Sequence, residues 1–111
     1  MTATAIRVAE SAKVPALLIC HGKQGREWFV RSPMVPGRWF PQDQLDAESP
    51  AFDVLFGGKG EDLLPQRMPA EAWFDRPEAQ RYSLREQSVR LGPDRILTLL
   101  LLDDDQMLED R

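Results

Sequence analysis

The sequence of 111 residues has few of the residue types that bind metals or cross-link a chain. Its one cysteine, Cys20, excludes an intramolecular disulfide framework. Its one histidine, His21, cannot complete a zinc site with Cys20 unless carboxylates supply the other ligands. We therefore expect no resident metal and no cofactor.

Long apolar runs are also absent. No stretch approaches the roughly 18 consecutive apolar residues of a membrane-spanning helix. Residues 1–13 lack the apolar segment of a signal peptide, so we expect a cytoplasmic protein without membrane association. The apolar content of 42% and the charged content of 29% are typical of a globular protein, and the length predicts a single domain over residues 1–111.

Positive charge is scarce in the second part of the chain. Residues 1–40 carry six basic and two acidic side chains, a net charge of +4, whereas residues 41–111 carry eight basic and sixteen acidic ones, a net charge of −8. This asymmetry predicts a basic face and an acidic face. Eleven of the fourteen basic residues are arginine, which is typical of a GC-rich bacterial genome and also suits stacking on aromatic rings.

Apolar runs and turn residues predict a first β-hairpin over residues 14–32. Its loop at 22–25 contains two glycines and would pair Cys20 with Glu27. Because side chains alternate between the two faces of a strand, this register turns one apolar face toward the core. The residues of that face are Leu17, Ile19, Trp28 and Val30.

A second hairpin is predicted over residues 84–102, around the turn at 92–95. Residues 96–102 are apolar on both faces, which is typical of a central strand. Together with the helix described next, the two hairpins give a predicted core. Its members are Leu17, Ile19, Trp28, Val30, Phe52, Leu55, Val89, Ile96, Leu97, Leu99 and Leu101.

Between the hairpins, Ser49 and Pro50 predict the start of a short helix that ends at Gly57. A second short helix is predicted from Pro69 to Phe74. The predicted fold is therefore α+β, a small and mainly antiparallel sheet built from two hairpins with one or two short covering helices. Three glycines and two prolines in residues 57–70 predict a mobile loop, and the acidic residues 103–111 predict a solvated tail or a short amphipathic turn.

Each of the three tryptophans is followed by phenylalanine, at residues 28–29, 39–40 and 73–74. Neighbouring side chains on a strand point to opposite faces, so one ring of each doublet is left near the surface unless both faces are covered. The alternative is that the rings of the doublets lie in the hydrophobic core or at its margin and have no role in binding. Arginines flank two of the doublets, and arginine and tryptophan dominate the binding energy of many interfaces. The predicted binding residues are Arg26, Trp28, Phe29, Arg31, Arg38 and Trp39.

These residues indicate that the chain is a small non-catalytic binding or regulatory protein that engages another protein. A homodimer formed through the same surface agrees equally well with the pattern. Single-stranded nucleic-acid binding is an alternative, because bases stack on aromatic rings while arginines hold phosphates. The acidic net charge disfavours nucleic-acid binding. The acidic second half of the chain also permits a different hypothesis, in which the protein itself imitates a nucleic acid. A small enzyme that uses Cys20 or acidic residues in the 42–62 region is the third hypothesis. It is disfavoured because Cys20 and His21 are adjacent on a strand and point apart.

Overall fold

The computed structural model describes residues 14–57 and 65–109. Five strands form one antiparallel sheet. They are β1 (Ala16–Gly22), β2 (Gly25–Arg31), β3 (Gln66–Pro69), β4 (Ser83–Gly92) and β5 (Arg95–Leu101). Their order across the sheet is β2-β1-β5-β4-β3, so β2 and β3 are the edge strands.

Both predicted hairpins are present, and β1 joins them by pairing with β5. The α+β prediction is confirmed: one sheet carries a single α-helix, α1 (Pro50–Phe56), and short 3₁₀ turns in the part of the chain that the structure describes. Strand β5 is central, as its apolar composition predicted. Strand β3 lies within the segment 57–70, which the sequence predicted as a mobile loop. Residues 58–64 of that segment lie outside the described residues.

The predicted register of the first hairpin is wrong by one residue. Next to the turn, His21 pairs with Arg26, which the predicted loop at 22–25 also implies, but Cys20 pairs with Trp28 instead of Glu27. A β-bulge between Cys20 and His21 then leaves Glu27 as the extra residue of β2. Since a shift of one residue exchanges the two faces of a strand, the faces of β2 are reversed relative to the prediction.

The consequence of this reversal is visible in the packing of β2. Phe29 packs with Leu17 and Ile19 against the main core, whereas Val30 joins a second, smaller cluster on the opposite face of the sheet. Trp28 shares that opposite face and is 42% exposed. The prediction that Trp28 and Val30 belong to the main core is therefore wrong.

The main core lies between the sheet and α1, which contacts β4 and β5. Ser49 caps the helix as predicted, since its side chain accepts a hydrogen bond from the Ala51 amide. The predicted second helix is present only as a 3₁₀ turn, Ala70–Ala72. Further 3₁₀ turns are Pro77–Arg81 and Asp105–Leu108.

Apart from the exposed Trp28, the residues of the predicted core fall into two groups, buried and partly buried. Those confirmed as buried are Leu17, Ile19, Leu55, Val89, Ile96 and Leu97. Those only partly buried are Val30, Phe52, Leu99 and Leu101. Large, fully buried side chains outside the predicted core are Leu18, Trp39, Trp73, Phe74, Leu84, Leu100, Leu102 and Met107.

The acidic C-terminal segment 103–111 was predicted as a tail or an amphipathic turn. Its residues Asp105–Leu108 form a 3₁₀ turn that buries Met107 in the main core. Asp104 starts this turn by accepting a hydrogen bond from the Gln106 amide. None of the helices in the described ranges is long and apolar enough to cross a membrane.

Candidate binding site

Strand β2 presents three of the predicted binding residues on one face at the margin of the sheet. Arg26 lies opposite His21, Phe29 opposite Ile19, and Arg31 opposite Leu17. Residues directly opposite each other in an antiparallel pair share a face, so all three side chains point to the face that carries the main core. The bulge at Glu27 is what places Arg26 on this face.

An aromatic pair lies at the centre of this group. The rings of Phe29 and Phe40 meet edge to face, with their centroids 5.0 Å apart. The guanidinium of Arg26 lies 4.8 Å from the centroid of Phe40, and that of Arg31 lies 5.3 Å from the centroid of Phe29. Phe40 is 53% exposed, the largest exposed fraction among the exposed large apolar residues of the described chain. We refer to Arg26, Phe29, Arg31 and Phe40 as the Arg–Phe cluster.

Backbone carbonyls of the segment 37–43 fix the two guanidinium groups. Arg26 donates to the carbonyl oxygen of Pro41, and Arg31 donates to those of Gly37 and Trp39, both at 3.4 Å. The backbone amide of Arg26 donates to the Asp43 carbonyl at 2.8 Å. Alternate carbonyls of this segment therefore face β2, and the arginines connect the segment to the sheet.

Among the described residues, no carboxylate forms an ion pair with either of these arginines. The ion pairs between described residues join Lys23 to Asp94, Arg67 and Arg85 to Asp103, Arg76 to Glu78, and Arg95 to Glu27. Arg26, Arg31 and Arg38 take part in none of these pairs. Partial burial lowers the pKa of Arg31, but a guanidinium remains protonated in proteins. The cluster therefore keeps two positive charges beside an exposed ring.

The other predicted binding residues lie elsewhere. Trp39 is fully buried, and its Nε1 donates to the Met107 carbonyl at 2.6 Å. Arg38 stacks on Trp39 at 5.0 Å and donates to the Met107 and Glu109 carbonyls at 3.3 and 2.5 Å. Trp28 faces the opposite side of the sheet. The structure thus brings together Arg26, Phe29 and Arg31, whereas the side chains of Trp28, Arg38 and Trp39 point elsewhere.

Phe40 is the residue that sequence reasoning missed. The doublet pattern did carry the signal, because two adjacent side chains in an extended segment cannot both point inward. At 39–40 the tryptophan is buried and the phenylalanine exposed, whereas at 73–74 both rings are buried. The pattern could not show which ring of each doublet would be outside.

A buried polar network was also not predicted. The carboxylate of Glu86 accepts hydrogen bonds from the Ser49 hydroxyl at 2.8 and 3.0 Å and from Trp73 Nε1 at 2.9 Å. It also accepts one from the Ala51 amide at the start of α1, at 3.3 Å. Glu86 and Ser49 are at most 1% exposed. Since a substrate cannot reach them, this network joins α1 to β4 and has a structural role.

Cys20 and His21 do not form a nucleophile and base. Cys20 belongs to the smaller apolar cluster, whereas His21 points to the face of the sheet that carries the main core. The rings of His21 and Trp73 meet edge to face there, with their centroids 5.8 Å apart. Burial, and to a lesser degree the charge of Glu27, raises the pKa of the Cys20 thiol. A buried protonated thiol is a poor nucleophile. The geometry therefore gives no support to a reaction at Cys20.

Within residues 14–57 and 65–109, no group of three or more histidine, cysteine, aspartate or glutamate side chains is placed to hold a metal ion. A scan of the chain against protein-family models found no match, and a search of curated proteins found none with significant sequence similarity. The Arg–Phe cluster is therefore interpreted from its own geometry.

Proposed function

We propose that this protein is a small binding or regulatory protein, and that the Arg–Phe cluster engages an acidic surface of a partner protein. The observation that carries the proposal is the pair of guanidinium groups that lie against rings and donate to backbone carbonyls, with no carboxylate partner in the described ranges. Such groups are fixed in place before a partner arrives, so little side-chain entropy is lost on binding.

The composition of the cluster supports binding over a purely structural role. Arginine and aromatic side chains are enriched in the central residues of protein interfaces. The half-exposed ring of Phe40 would lose contact with water when covered, and burial of apolar surface stabilises a complex. The net charge of the chain is −4, so a local positive surface would direct an acidic partner to this edge of the sheet.

Affinity capture from the source cell, read by mass spectrometry, tests this proposal. Immobilised wild-type protein is compared with the double variant Arg31→Gln, Phe40→Ser. The control is Arg81→Glu, which changes the charge of an exposed residue outside the Arg–Phe cluster. We expect acidic proteins that the wild type and the control retain and the double variant loses. An identical set of proteins on all three would overturn the proposal. Thermal unfolding of each variant confirms that the fold is retained.

Single-stranded nucleic acid is the second candidate. The exposed Phe40 ring with a guanidinium at 4.8 Å also matches a platform on which a base stacks and a phosphate pairs. This candidate predicts binding of a mixed-sequence oligonucleotide that weakens steeply as salt is added. If a titration at low salt gives no change in oligonucleotide fluorescence anisotropy, the candidate is excluded.

The proposal places the protein in the cytoplasm, where a single unpaired cysteine stays reduced. A homodimer remains compatible with the same surface. Sedimentation at several protein concentrations distinguishes a dimer from a monomer.

A further inference from the structure

The outer edge of β2 carries backbone groups that point away from the sheet. Ser32 donates its amide hydrogen to the Ala16 carbonyl, so this pair faces inward. Residues of an antiparallel strand alternate between inward and outward orientation. Val30 therefore bonds to β1, whereas the amides and carbonyls of Phe29 and Arg31 face outward.

These outward groups form no hydrogen bond with another described residue. The edge is closed at one end, where the Arg26 amide donates to the Asp43 carbonyl. The opposite edge of the sheet differs, because β3 has only four residues and ends at Pro69. Short strands and proline are common protections of sheet edges, and β2 has neither.

The charges beside the open edge identify the kind of strand that fits it. A second copy of β2 would bring its own Arg26 and Arg31 toward those of the first, and like charges on adjacent strands repel. An acidic strand would instead place carboxylates near both guanidinium groups. Since Phe29 lies between the two arginines on the same face, an apolar residue between two acidic ones, each two residues away, matches this face.

We infer that the open edge of β2, at Phe29 and Arg31, binds an extended acidic segment of the partner as an additional strand. This inference deepens the proposed function and rests on it. Main-chain hydrogen bonds to the edge would supply affinity, and the arginines with Phe29 and Phe40 would select alternating acidic and apolar side chains.

The probe is an acetylated and amidated peptide of sequence Thr-Glu-Thr-Val-Thr-Glu-Thr, which reads the same in both strand directions. With Val opposite Phe29, the Val and Glu amides point to β2 and the Thr amides point away. N-methylation of Val thus blocks strand pairing, and N-methylation of a neighbouring Thr is the matched control. A peptide with Lys in place of Glu controls for charge.

Amide hydrogen exchange of the labelled protein, followed by NMR, is the readout. We expect the acidic peptide and its Thr-methylated form to slow exchange at Phe29 and Arg31 by at least about tenfold. Exchange at Val30, which is already bonded to β1, should change little. The Val-methylated and Lys peptides should have no effect.

Two results separate a failure of this inference from a failure of the proposed function. If both methylated peptides bind equally, shift the Phe40 ring signals and leave exchange at Phe29 and Arg31 unchanged, the strand inference is wrong and the binding function stands. If no acidic peptide shifts any signal, both are wrong. Slow exchange at both amides in the protein alone, together with sedimentation as a dimer, would assign the edge to a second copy and overturn the inference.

Discussion

A guanidinium group can donate to carbonyl oxygens, stack on a ring and still keep its positive charge, and Arg26 does all three. Its side chain bonds to the Pro41 carbonyl and lies over the rings of Phe29 and Phe40. Arg31 combines the same kinds of contact on the other side of Phe29. At this scale, the structural role of the arginines and their proposed binding role are compatible, because the first fixes the geometry that the second uses.

Arg26→Lys tests the planar contacts of this residue. Lysine keeps the charge but loses the fork of donors and the stacking geometry, so we expect the free energy of unfolding to fall by about 1 kcal/mol. Urea unfolding measures this change, and Arg81→Lys is the matched control on an exposed arginine. Equal stability of both variants would show that the contacts of Arg26 contribute nothing to the fold.

His21 makes stability depend on pH. Burial, and then the charge of Arg26, lowers its pKa from 6.5 to about 4, although Asp43 and the backbone of Gln42 and Asp43 act in the opposite direction. The unfolded chain therefore binds a proton between pH 6.5 and 4 that the folded chain does not. Stability contributed by neutral His21 is complete above pH 6.5 and is lost as the pH falls, by roughly 3 kcal/mol.

His21→Leu should remove most of this loss, because leucine does not titrate. Urea unfolding of the wild type and the variant at several pH values between 7 and 4 provides the comparison. Arg26 and Asp43 are unchanged in the variant, so the difference in slope reports His21 alone. Equal slopes for the two proteins would contradict the assignment.

At the scale of elements, local signals were sufficient for the four strands of the two hairpins, but they did not predict β3 or the alignment of β2. The apolar runs and the turns predicted both hairpins, and Ser49 with Pro50 predicted the start of α1. The register of β2 was missed because it depends on one bulged residue, Glu27, that no short pattern marks. This single residue decides that Phe29, and not Trp28, joins the main core.

Substitutions of Ser49 and Glu86 test how hydrogen bonds join α1 to β4. Ser49→Ala removes the cap and one hydrogen bond to the buried carboxylate, so we expect a loss of about 1–2 kcal/mol in the free energy of unfolding. Glu86→Gln should lower the free energy of unfolding further, because the NH2 group of glutamine cannot accept hydrogen bonds. It would lie against the donors of Ser49, Trp73 and Ala51. Thermal and urea unfolding measure both changes. If Glu86→Gln is neutral, the carboxylate is not what holds the helix.

At the scale of the whole molecule, contacts between distant parts of the chain explain what the sequence could not show. Trp39 is buried in the main core, where its indole donates to the Met107 carbonyl, 68 residues away in sequence. No local pattern could have predicted this contact, and the acidic segment around Met107 was expected to be a tail or a short turn. The same contact withdraws Trp39 from the surface and leaves Phe40 as the exposed ring of its doublet.

Met107→Ala tests how the C-terminal turn packs against the main core, because alanine keeps the carbonyl that binds Trp39 and removes the buried side chain. Removal of a fully buried methionine side chain should lower the free energy of unfolding by roughly 2–4 kcal/mol. Met34→Ala is the control, since Met34 is exposed and should change stability little. Comparable effects of the two substitutions, measured by urea unfolding, would show that the C-terminal turn is not part of the cooperative fold.

The most direct test of the central claim is a titration of the acidic peptide Thr-Glu-Thr-Val-Thr-Glu-Thr into the wild type and into the double variant Arg31→Gln, Phe40→Ser, followed by NMR chemical shifts. We predict that the peptide binds the wild type, that the dissociation constant rises by about tenfold or more in the double variant, and that added salt weakens binding. Equal affinity for the two proteins, or no binding to the wild type at low salt, would contradict the claim that the Arg–Phe cluster is the binding site.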